Sequence, residues 1–106
     1  MNEKVKTILT EFRRGLETIY GERLLKVVLF GSQARGDAAP DSDIDVLVVL
    51  EGQVLPGQEI RRTGGLASRL GLEHDVALGL VFLSEEEFVH RDFGLVRNVQ
   101  REGVAV

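Results

Sequence analysis

The sequence predicts a small α/β sandwich, of the α+β kind, in which a mixed sheet of three to four strands carries helices packed on one side. Two observations lead there. Short apolar, β-branched runs alternate with segments whose apolar residues recur at helical spacing. The chain has 106 residues, 43% of them apolar, which suits a single domain over residues 1–106 with one core.

The elements follow in order. Val5, Ile8, Leu9, Phe12, Leu16, Ile19 and Tyr20 recur at helical spacing with charges between them, so an amphipathic helix is expected to end at Gly21. Leu24 to Phe30 reads as a buried strand. Gly31-Ser32 stops it, Gln33-Ala34-Arg35 suits a helical turn, and Gly36 to Ser42 is loop material. Asp43 to Leu50 is a second buried strand with an acidic entrance. A helix is expected over Glu59 to Leu70, with Ile60, Leu66, Ala67 and Leu70 inward and Gly71 as its C-cap. Gly64 and Gly65 each weaken that helix by roughly 1 kcal/mol relative to alanine. Val76 to Leu83 is a third apolar strand, opened by Asp75. Ser84-Glu85-Glu86-Glu87 has the form of a capping box. A last helix is expected near Gly94 to Arg101, and Val104 to Val106 suits a short edge strand.

Composition narrows the chemistry. No cysteine is present, which excludes disulfides and thiolate metal sites, and two histidines make a zinc cluster a poor fit. A hard cation on carboxylates is the natural alternative. Thirteen basic against seventeen acidic residues leave a net charge of −4, a poor footprint for direct nucleic-acid binding. No apolar run is long enough to span a bilayer, and Glu3, Lys4 and Lys6 interrupt the start of the chain, so no membrane partner and a cytoplasmic setting are expected.

Three features carry chemistry. A strand ending in Gly31-Ser32 lets a phosphate approach backbone amides, with the Ser32 hydroxyl as a further donor; the same pair is also an ordinary turn. Alternate strand residues share a face, so Asp43 and Asp45 aim together, roughly 7 Å apart at Cα. Two like charges held together call for a cation, although a solvated acidic turn has the same sequence. Asp75 opens another strand and would be the third carboxylate if that strand lay beside the second; the other reading is a surface aspartate bonded to His74. An EF-hand is excluded because Val46 stands where that loop needs glycine, and Gly31 to Gly36 lacks the lysine of a P-loop. His74 and His90 have no paired ligand spacing.

Gly31-Ser32, ten residues, and then Asp43-Ile44-Asp45 resembles the signature of the DNA polymerase β-like nucleotidyltransferase superfamily. The fuller strings, Phe30 to Asp37 and Asp41 to Val46, together with the Glu102-Gly103-Val104 ending, resemble its minimal nucleotidyltransferase group, and the resemblance runs over nearly the whole chain. It implies that Gly31 and Ser32 hold the nucleotide phosphates. It also implies that Asp43, Asp45 and Asp75 bind two Mg²⁺ ions, Asp75 helping to activate the attacking hydroxyl. Arg35 stands where the group commonly has arginine, for phosphate or for a structural ion pair.

ATP is the implied nucleotide. At this length no acceptor-binding domain fits, so another molecule is expected to present the acceptor, in a homo- or hetero-oligomer. The resemblance implies an antitoxin that moves AMP to a tyrosine of a helical HEPN-domain toxin. The alternatives are a non-catalytic nucleotide- or partner-binding subunit, and transfer to a small molecule such as an aminoglycoside.

Overall fold

Seven residues, Ile44–Leu50, form strand β2, and apart from Asp45 every one of them is buried. A strand apolar on both alternations has no face to give to water. It therefore lies inside the sheet, between β1 (Leu24–Phe30), which runs antiparallel to it, and β3 (Leu78–Ser84), which runs parallel. The short β4 (Val104–Ala105) extends the far edge of β1, giving the order β3-β2-β1-β4. The computed structural model describes residues 2–39, 42–90 and 94–106.

The mixed four-stranded sheet is the one expected. The placing of helices on one side only is not. Ile44, Val46, Val48 and Leu50 pack under α1 (Glu3–Tyr20) and α3 (Pro56–His74), together with Phe12, Leu16 and Leu70. Leu47 and Val49, on the opposite alternation, pack against Val96 and Val99 of α5 (Gly94–Glu102), with Phe88 of α4 (Glu85–His90) alongside. Both faces of β2 are thus covered, as its doubly apolar sequence requires.

The helix ends show where local sequence decides. Asn2 caps α1, its Oδ1 accepting from the Val5 N–H at 2.8 Å. The capping box forms as written: the Ser84 N–H donates to Glu87 Oε1 at 3.1 Å, and the Glu87 N–H to Ser84 Oγ at 3.0 Å. Helix α3 is longer than expected at both ends. Pro56 sits in its first turn, and the helix runs through Gly71 to His74. Gly71 is needed for close approach instead of capping, since a Cβ there would lie 2.8 Å from the Val76 carbonyl oxygen. Ile60 points outward, 46% exposed. Its neighbour Glu59 takes the inward place, about 100° round the helix. There Glu59 accepts from the Tyr20 hydroxyl at 2.7 Å and lies 3.6 Å from Arg62. The last residue is tied in as well: Val106 N–H donates to the Val27 carbonyl, and Arg13 donates to the Val106 carbonyl at 2.7 Å. No helix among the described residues is long and apolar enough to cross a membrane.

Candidate functional site

β1 ends at Phe30 and the chain turns at once. Gly31 adopts φ 75° and ψ −159°, a conformation open to glycine. It also lies against β2: a Cβ at Gly31 would come 2.5 Å from Asp45 Oδ2. The backbone conformation therefore favours glycine here, and the missing side chain leaves the Asp45 carboxylate its room. The single-turn helix α2 (Ser32–Arg35) follows, its first hydrogen bonds running from the Ala34 and Arg35 N–H groups to the Gly31 carbonyl at 3.1 and 3.2 Å. The Ser32 and Gln33 amides precede those bonds at the start of the turn.

The acidic strand entrance meets this turn. Ile44 is fully buried, so alternation turns Asp43 and Asp45 to the other face, Asp43 exposed and Asp45 half-buried. Asp45 stands between Phe30 on β1 and Gly79 on β3. A Cβ at Gly79 would lie 2.8 Å from Asp45 Oδ1, so its two carboxylate oxygens face a glycine on either side. Burial, and then the neighbouring charge of Asp43, push the Asp45 carboxyl above its ordinary pKa. Such a pair suits a divalent cation. A bound cation would offset the repulsion between the two carboxylates and the lost hydration of the inner one, and hard oxygen donors suit Mg²⁺.

The other expected residues lie elsewhere or serve otherwise. Asp75 does not open β3. It caps α3 in the left-handed conformation (φ 53°, ψ 54°), exposed, three residues before the strand begins. Among the described residues, no trio containing Asp43, Asp45 and Asp75 brings ligand atoms within 4.8 Å of one another. The reason is that α3 continues four residues past Leu70 and takes Asp75 into its terminus. Arg35 is held in an ion-pair cluster, 3.2 Å from Asp37 and 3.4 Å from Glu102 on α5. The hydrogen bond to Asp37 is the main cause of its raised pKa. His74 is half-buried, and its Nε2 lies 3.7 Å from Glu11 of α1. Asp41 lies outside the described residues.

Two contributors escaped the sequence reading. Gln33 is buried, and its Nε2 donates to the Ser42 carbonyl at 3.1 Å, tying the Gly31-Ser32 turn to the residue before Asp43. No motif marks it. Gly79 had a signal, since glycine inside an apolar strand run often marks close approach by another group.

Comparison with known proteins identifies the family. The family model described as a nucleotidyltransferase domain matches residues 9–106. A candidate protein adenylyltransferase of Methanocaldococcus jannaschii is 36% identical over 104 residues, covering 97% of this chain and 96% of that relative. The protein adenylyltransferase MntA of Thermococcus cleftensis is 32% identical over 104 residues, 98% of this chain and 94% of its own. Among solved structures, the fold is shared with a chain from the Shewanella oneidensis complex of a tri-AMPylated HEPN toxin with an MNT antitoxin. That match has a TM-score of 0.53 and 19% identity, over 92% of this chain and 70% of the other. A glycine-serine turn set against a paired-aspartate strand, and a family match over nearly all the chain, lead to one conclusion: this chain belongs to the nucleotidyltransferase domain family.

Proposed function

We propose that this chain transfers AMP from ATP to a hydroxyl of a partner protein, a tyrosine of a helical HEPN-domain toxin, and so acts as an antitoxin. The observation that carries the reading is the contact between the Gly31 turn and the Asp45 carboxylate, which brings an approach for phosphate and a pair of cation ligands to one place. The names of the relatives support protein as the acceptor, and the AMPylated toxin bound to the Shewanella oneidensis neighbour supports the class of partner.

In this reading Gly31 and Ser32 receive the triphosphate, and Asp43 and Asp45 hold Mg²⁺. When bound, the cation supplies neutralisation of phosphate charge. The chain itself supplies placement: Gly31 allows the phosphates near the backbone, and Gln33 fixes the turn relative to the aspartates. The acceptor oxygen forms a bond to the α-phosphorus, the bond from that phosphorus to the β-bridging oxygen breaks, pyrophosphate leaves, and the hydroxyl proton passes to solvent. Arg35, engaged with Asp37 and Glu102, ties α2 to α5 beside this turn.

The test is incubation with Mg²⁺ and ATP labelled at the α-phosphate, together with the HEPN-type partner from the native host. Label is expected on a partner tyrosine. Label on an added aminoglycoside and none on the partner would favour the small-molecule reading. Bound but untransferred nucleotide would favour a binding subunit.

A further inference from the structure

The second strand position that decides this site carries no carboxylate. β2 and β3 are parallel, so side chains on cross-strand partners point to the same face, and the partner of Asp45 is Gly79. The next β3 residue on that face, Val81, lies beside Leu47 and is committed to the core. A ligand from β3 able to meet a cation at Asp45 would have to come from position 79. Gly79 is not among the glycines with positive φ, so its backbone does not require glycine. The absent side chain instead leaves room for Asp45, whose Oδ1 would sit 2.8 Å from any Cβ there. Asp75 sits at the α3 cap, four residues earlier in the chain, and forms no trio with Asp43 and Asp45 whose ligand atoms lie within 4.8 Å of one another.

We propose that this chain holds its nucleotide through a single divalent cation on Asp43 and Asp45, with Gly79 supplying space where a second cation would need a ligand. This rests on the reading of the site as a nucleotide site, and it replaces the two-cation arrangement that the sequence resemblance implies.

The experiment counts bound Mn²⁺ by electron paramagnetic resonance, titrating MnCl₂ into the protein saturated with AMP-PNP. The native chain is expected to bind one Mn²⁺ per nucleotide-loaded chain. Two would overturn this inference while leaving the proposed function standing; none would overturn both. Asp75→Asn is expected to leave the count and the Mn²⁺ affinity unchanged, and a tenfold loss of affinity would make Asp75 a ligand and the inference wrong. Gly79→Asp, checked for fold by circular dichroism, is expected to raise the count to two. A folded Gly79→Asp protein still at one would contradict the claim that position 79 is where the second ligand is missing. If that variant does not fold, the native count and Asp75→Asn still decide.

Discussion

Asp45 is built for charge and disfavoured by its surroundings, and its sign can be worked out. Its folded pKa lies above the ordinary carboxylate value, through burial first and Asp43 second. A raised folded pKa means that the native state takes up its proton more readily than the unfolded chain. The associated stability is present at acid pH and is lost as pH rises through the folded pKa. Asp45→Asn should therefore raise the melting temperature of the metal-free protein at pH 7, by a few degrees at most, and the difference should vanish below the ordinary carboxylate range. Thermal melts at both pH values check this. The same substitution, like Asp43→Ala, should lower AMP transfer by at least about 100-fold with an unchanged circular dichroism spectrum, as expected when charge-stabilising groups are removed. Ser32→Ala should weaken nucleotide binding about 5-fold, the equivalent of one hydrogen bond of roughly 1 kcal/mol, read by calorimetry. At this scale the sequence was legible where periodicity alone places a side chain. Strand alternation sets Asp43 and Asp45 on one face whatever their neighbours do. The partners of Gln33 and Gly79 were not legible, because only a closed loop or strand register supplies them.

Elements were legible where local chemistry closes them. The Ser84–Glu87 capping box needs only four consecutive residues, and it forms. Ser84→Ala should cost about 1 kcal/mol, measured as a lower urea midpoint with an unchanged slope. Helix α3 shows the opposite case. Gly64, Gly65 and Gly71 argued for a short, weak helix, yet burial of Leu70 and Thr63 and the Tyr20–Glu59 hydrogen bond carry it through 19 residues. Tertiary packing overrides propensity there, and the extra turn is what removes Asp75 from the strand. Leu70 is fully buried between α3 and the sheet, so Leu70→Ala should destabilise by roughly 2–5 kcal/mol in urea unfolding.

For the whole molecule, the sequence reached the class and the mixed sheet but placed helices on one side. The doubly apolar β2 was the missed clue, for Leu47 and Val49 need cover as much as Val46 and Val48 do. That two-sided burial seats β2 in the core, and sets the carboxylates at its entrance beside a turn that Gln33 ties to Ser42. The central claim is that this corner of the sheet binds a nucleotide through a divalent cation. Calorimetric titration of ATP, in Mg²⁺ and then in EDTA, tests it most directly. Saturable binding in Mg²⁺ that is lost in EDTA is the predicted result, and the same affinity in both would contradict the account.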